Sequence, residues 1–205
     1  MGVRPVSVSG LVGELVEAIS ERPGRVRVAV DGADAARPWE LADKVAEGLR
    51  VRRHVLRVSA KDFLRPASLR FEFGKQDPDS YYDGWLDVKG LTREVLQPLE
   101  PGGTGRVIPS LWDPEKDRAT RAPYQELPPD AVVILDGPLL LGQGLPIDFS
   151  VHLSLSRGAL RRRTEEEWTL PAFERYADEV RPQDWADVVV RVDDSRHPAL
   201  VEIDP

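Results

Sequence analysis

The sequence predicts an α/β protein with a doubly wound parallel sheet of about five strands flanked by helices, and three observations predict it. Val26, Val28 and Val30 form a β-rich run, Leu41, Val45 and Leu49 then recur on one helical stripe, and residues 51–58 supply the next strand. A strand, helix, strand order with short connections is a βαβ unit, which implies parallel strands and a right-handed crossover. Further on, Ala131-Val132-Val133-Ile134-Leu135 is an unbroken apolar run, suited to a strand covered on both faces.

The other elements follow from the same signals. Over residues 9–21, Leu11, Val12, Leu15, Val16 and Ile19 keep helical spacing behind a serine able to cap, until Pro23-Gly24 stops the pattern. Residues 62–84 are rich in aromatic and charged side chains without steady periodicity, which marks a functional loop or lid. Residues 86–99 read as a helix ended by Pro98 and Pro101-Gly102-Gly103, and residues 106–108 as a short strand. Residues 149–155 form another internal strand, 157–164 a basic helix, 170–180 a further helix, and 188–192 the strand that closes the sheet. Gly32, Asp62 and Asp136 then emerge at the carboxyl edge, where ligands of such sheets gather.

Composition narrows the class of function. The 205 residues suit a single domain, 1–205, with a small lid. Hydrophobic residues at 41% and charged ones at 31% indicate neither disorder nor a membrane class. No apolar run approaches spanning length, so no membrane partner and a cytoplasmic location are expected. A net charge of −7 argues against nucleic acid as a partner. There is no cysteine, and His54, His152 and His197 show no ligand spacing, which argues against a zinc site.

The segment Gly32-Ala33-Asp34-Ala35-Ala36-Arg37-Pro38-Trp39 stands where a phosphate-binding loop, G-x-x-x-x-G-K-[ST], joins a strand to a helix. In such a loop the glycines let backbone N–H groups surround phosphate, the lysine neutralises charge and the hydroxyl holds magnesium. Only Gly32 keeps its place. Arg37 stands for the second glycine, Pro38 for the lysine and Trp39 for the hydroxyl residue. Taken alone, the octapeptide reads as a plain strand-to-helix turn with Pro38 at the first helical position.

Other segments add to it. Lys61-Asp62-Phe63-Leu64-Arg65-Pro66 is similar to D-D-F-[FYL]-x-P, and Asp77-Pro78-Asp79-Ser80-Tyr81-Tyr82 to an acidic, aromatic nucleoside-contacting stretch. Ile108-Pro109-Ser110-Leu111-Trp112-Asp113 is similar to I-P-x-Y-D, and Val133-Ile134-Leu135-Asp136-Gly137-Pro138 to a strand ending E-G-I. Tyr176-Ala177 through Ala186-Asp187-Val188-Val189-Val190 matches a terminal Y…P…A-D-V-[IV]-[IV] region. In this order the segments resemble the uridine kinase and nicotinamide riboside kinase group of P-loop nucleoside kinases, over residues 25–192.

That resemblance implies Mg-ATP as cofactor, transfer of its γ-phosphoryl group to a nucleoside 5′-hydroxyl, and an aspartate base. It puts Lys61 at the base position. Asp62 is adjacent and can deputise, although neighbours in an extended segment point opposite ways. Gly32, Asp34 and Arg37 become the phosphate-binding remnant, with Arg161, Arg162 and Arg163 as a basic lid or, alternatively, a solvated face paired with Glu165, Glu166 and Glu167. On the substrate side Tyr81, Tyr82, Trp85 and Trp112 can stack on a base, and Asp83 and Asp113 can accept from sugar hydroxyls, with Arg118 and Arg121 beside them. The same aromatics can instead cover the open end of the sheet. Asp136 is the magnesium candidate or a cap of its turn. The chain thus divides into an N-terminal helix (1–24), a substrate-side loop (59–85) and a lid-like segment (156–170) within one domain.

Three functions remain open on this reading. One is a kinase-fold protein that binds a nucleoside, nucleotide or other phosphorylated small molecule without efficient phosphoryl transfer. The second is an active nucleoside kinase with relocated groups, Arg37 or Lys61 replacing the loop cation and Asp62 or Asp83 serving as base. The third is an interaction module, possible as a homo-oligomer, in which Trp39 plugs the old phosphate space.

Overall fold

The computed structural model describes residues 2–202. Seven strands form its main sheet: β1 (Gly2–Pro5), β2 (Val26–Asp31), β3 (Val55–Ser59), β4 (Val132–Gly137), β5 (Phe149–Ser154), β6 (Val188–Arg191) and β7 (Ala199–Glu202), in the order β1-β7-β6-β5-β2-β4-β3. From β6 to β3 every neighbour is parallel. β2 sits between β4 and β5, the point where crossovers diverge and a crevice opens beyond the strand ends.

The five parallel strands are those that the apolar runs predict. The sheet does not close at 188–192, however, because β7 adds antiparallel to β6 and β1 adds antiparallel to β7. Both added strands are short, and β1, at the edge of the sheet, ends in Pro5, whose missing N–H suits an outer edge. The strand expected over 51–58 begins only at Val55, since Val51 is solvent-exposed and Arg53 donates to the backbone carbonyls of Arg22 and Asp130.

Helix α1 (Val8–Ser20) is capped by Ser7, whose side chain accepts from Gly10 N, and α2 (Pro38–Leu49) begins at a proline. Their apolar stripes share one core with Val28, Val30, Ile134, Val151 and Leu153 on one face of the sheet. On the other face, Phe63, Leu91, Val95 and Leu96 pack on Val58, Val133 and Leu135.

The aperiodic stretch 62–84 is largely short helices: a 3₁₀ turn at Ala60–Phe63, α3 (Ala67–Arg70) and α4 (Pro78–Gly84). The helix expected over 86–99 starts later as α5 (Val88–Leu91), capped by Asp87, and continues through a π turn. α6 (Arg157–Arg163), α7 (Leu170–Glu179) and α8 (Pro182–Trp185) follow β5. Among the described residues no helix is long and apolar enough to cross a membrane.

Candidate functional site

At the end of β2 the chain turns sharply. Gly32 N–H donates to the Gly137 carbonyl (3.1 Å), and a Cβ at Gly32 would meet Leu153 at 3.0 Å, so only glycine lets the turn lie this close to β5. Asp34–Ala36 is a single 3₁₀ turn in which Ala36 N–H donates to Ala33 O (2.7 Å) and Arg37 N–H to Asp34 O (2.9 Å). Arg37 is left-handed (φ 57, ψ 55), a conformation that costs a side-chain-bearing residue about 1–2 kcal/mol. Its guanidinium pairs with Glu40 at 2.6 Å.

Above this turn lies a cleft of two compartments. The larger, about 740 Å³, is walled by Ala33, Ala35, Arg37 and Trp39 of the turn, by Arg163 at the end of α6 and residues 164–166 after it, and by Phe173 of α7. The smaller, about 250 Å³, is walled by Leu64, Tyr82, Trp85, Leu86, Pro138 and Gln143. Asp34, Lys61, Tyr81 and Glu166 border both. Lys61 Nζ lies 3.1 Å from Asp34 Oδ2 and 5.2 Å from the Trp39 ring centre, so an ion pair spans the boundary. Trp39 is half-buried and lines the larger compartment as a wall.

The smaller compartment is aromatic. Tyr81 meets Trp85 edge-on at 5.1 Å, Trp168 at 5.5 Å and Phe173 at 6.0 Å. Burial raises the Tyr81 hydroxyl pKa, with Asp34 and Glu166 adding to it. Trp85 donates from Nε1 to Arg70 O and carries the Arg70 guanidinium over its face. Tyr82 lies under Arg175 at 4.1 Å, and Arg175 also holds Asp83 (2.7 Å) and Glu179 (2.9 Å), tying α4 to α7. Trp168 escaped the sequence reading because it lies in a segment that looks like charged lid.

The remaining residues are placed differently. Trp112, Asp113 and Arg118 belong to a two-residue antiparallel ladder outside both compartments, with Arg121 exposed just beyond. Trp112 Nε1 donates to Asp117, and Asp113 accepts from the Glu115 and Lys116 backbones. In the lid, Arg161 pairs with Glu174 (3.6 Å) rather than with Glu165 to Glu167, and Arg162 is exposed. Arg163 lines the larger compartment but donates to the Val192 and Asp193 carbonyls.

Lys61 and Asp62 lie in a 3₁₀ turn, not in an extended segment, so the alternation expected of them does not apply. Burial holds the Asp62 carboxyl above its ordinary range. The Ser110 hydroxyl opposes the shift without reaching hydrogen-bonding geometry, and Asp136 and Asp113 add to it. Asp136 is buried, and burial likewise raises its pKa. Its Oδ1 is taken by Arg57 at 2.7 Å. Among the described residues no group of three or more acidic or histidine side chains is arranged to hold a metal ion.

One network joins residues that the sequence reading did not connect. Asp31, fully buried at the end of β2, accepts from Leu140 N (2.8 Å) and the Tyr176 hydroxyl (3.1 Å), and its Oδ2 lies 2.6 Å from His152 Nδ1. Leu141 N in turn donates to the Tyr176 oxygen. Burial keeps Tyr176 a neutral hydroxyl by raising its pKa, with the Asp31 charge adding to the effect. The network anchors the Leu140 and Leu141 backbone, next to Leu139 on the wall of the smaller compartment.

No protein-family model matches the sequence, and no curated protein is similar to it. The parallel sheet with its flanking helices, and the turn after β2 facing a cleft, give the chain the fold of P-loop kinase structures. A possible uridine kinase from Bacillus stearothermophilus superposes with a TM-score of 0.71 at 21% identity, over 87% of this chain and 96% of that one. A candidate fructose transport system kinase from Silicibacter sp. TM1040 gives 0.58 at 22% identity, over 88% and 95%. The YGR205w protein gives 0.56 at 13% identity, over 95% and 96%. At these identities the likeness is one of fold.

Proposed function

We propose that this chain is a kinase-fold binding protein that holds a nucleoside or nucleotide-like small molecule in its aromatic compartment and transfers phosphate from ATP poorly or not at all. The inward closure of the turn after β2 carries this reading. Three backbone groups that could cradle a phosphate are committed or missing: Ala36 and Arg37 N–H are bonded within the turn, and Pro38 has none. Trp39 supplies no hydroxyl for magnesium, and Asp136 is bound to Arg57. These residues do not fit Mg-ATP held in the manner of a P-loop. The aromatic compartment, by contrast, is open and offers stacking surfaces at Tyr81 and Trp85.

The test is thermal unfolding of the chain with nucleosides, nucleoside monophosphates and Mg-ATP. A ligand at one hundred times its Kd stabilises the folded state by about 2.7 kcal/mol. Stabilisation by a nucleoside or its monophosphate, and not by Mg-ATP, is expected. Magnesium-dependent stabilisation by ATP overturns the proposal.

A second reading, an active kinase with relocated groups, is favoured by the position of Lys61 on the boundary of both compartments. It requires product formation that disappears in Lys61→Ala while folding is kept.

A further inference from the structure

Strand β5 lies between β2 and β6 and is buried along its length, a setting that favours apolar residues on both faces. Phe149, Val151 and Leu153 obey this on one face. The other carries Ser150, His152 and Ser154, each at most 8% exposed. Ser150 is satisfied by Asp187 (2.8 Å). His152 and Ser154 line a third cavity, of about 280 Å³, with Leu155, Leu160, Phe173 and Gln183 among its walls. Ala33 and Phe173 separate it from the larger compartment of the cleft, and Leu139 from the smaller.

The hydrogen-bonding capacity of this wall limits what can enter. The Asp31 carboxylate only accepts, so the 2.6 Å contact places a proton on His152 Nδ1. In the neutral ring Nε2 is then an acceptor, and it has no partner among the described residues. Ser154 Oγ accepts from Gln183 Nε2 (2.9 Å), which leaves its O–H to donate. One acceptor and one donor thus stand two residues apart on a strand, roughly 6.6 Å along it, with Leu155, Leu160 and Phe173 forming the apolar part of the wall and Gln183, Asp184 and Arg181 the polar part.

We infer that this cavity is a second binding site, for a small planar nitrogen heterocycle of the lactam type. A ring N–H donates to His152 Nε2, and a carbonyl or ring nitrogen accepts from Ser154. An anion is disfavoured, because Asp31 stands behind His152 and the cation at the mouth, Arg181, is paired with Asp184 at 3.1 Å. The cavity is smaller than a typical drug-sized pocket and matches a one- or two-ring ligand. This site does not depend on how the neighbouring cleft is read.

The chain has three histidines, so the ring resonances of His54, His152 and His197 can be followed by NMR in the full chain. Titration with 2-pyridone shifts His152 and leaves the other two in place. N-methyl-2-pyridone, which lacks the donor, binds about tenfold more weakly or worse, as expected when a ligand covers an acceptor without giving it a donor. Ser154→Ala, which keeps the Asp31–His152 pair, weakens 2-pyridone binding several-fold. A His152 resonance unmoved by 2-pyridone, or equal binding of the two pyridones, overturns the inference.

Discussion

Across the Asp34–Lys61 ion pair the two compartments of the cleft are built from opposite materials. On the turn side the polar groups are already engaged: Arg37 with Glu40, Arg163 with two carbonyls, and two amides with carbonyls of their own turn. On the other side the walls are mostly apolar, Leu64, Tyr81, Tyr82, Trp85, Leu86 and Pro138, and their pairing is of ring faces with neighbouring rings and guanidinium groups. The difference teaches that two halves of one cleft can differ in how many of their polar groups are already paired. Shape follows from the sheet and its helices, whereas readiness for a ligand depends on which donors are still unpaired.

The largest expected effect tests the floor common to this region. Asp31→Ala leaves His152, Tyr176 and Leu140 N without their buried acceptor, and urea unfolding is expected to show a loss of about 3–5 kcal/mol. A loss below about 1 kcal/mol means that the network does not anchor the Leu140–Leu141 backbone.

Restoring the turn addresses the contrast directly. The triple change Arg37→Gly, Pro38→Lys and Trp39→Ser introduces the glycine, lysine and hydroxyl of a phosphate-binding loop, so on the proposed reading saturating Mg-ATP is expected to stabilise the variant by about 2–3 kcal/mol and the parent not at all. Equal thermal shifts in the two proteins erase the distinction between the compartments.

A smaller effect isolates the strain. Arg37→Gly alone removes a left-handed side chain and one exposed ion pair with Glu40, and denaturant unfolding is expected to show a net gain of about 1 kcal/mol.

The smallest concerns Asp62. Its folded-state pKa is raised by burial, so between the unfolded and folded values the native state binds more protons and stability falls as pH rises. Asp62→Asn is expected to be more stable than the parent at neutral pH. That advantage vanishes below the ordinary carboxylate range, as paired unfolding curves at two pH values can check.

Residues 26–30, 41–49 and 131–135 made the parallel sheet legible, because each carries its period in its own composition. β1 and β7 were not, since four-residue strands have too few side chains to show one, and β1 is a strand only because β7 lies beside it. In the site, Tyr81, Tyr82 and Trp85 were read as a group from one aromatic stretch and do line one compartment. Trp112, Asp113, Arg118 and Arg121 were read with them, but a tight hairpin carries them outside it.

What the sequence determined by itself is the succession of the five parallel strands with their main helices, and the turn at Gly32. Those are properties of short windows, in which period, proline and glycine act on their neighbours along the chain. Only the tertiary structure decided that Asp31, His152 and Tyr176 meet, that Arg163 is tied to backbone carbonyls, and that Lys61 faces Asp34. Each of those pairings joins residues 27 to 145 positions apart. Their energies depend on burial and direction, which exist only once the sheet has brought the partners together.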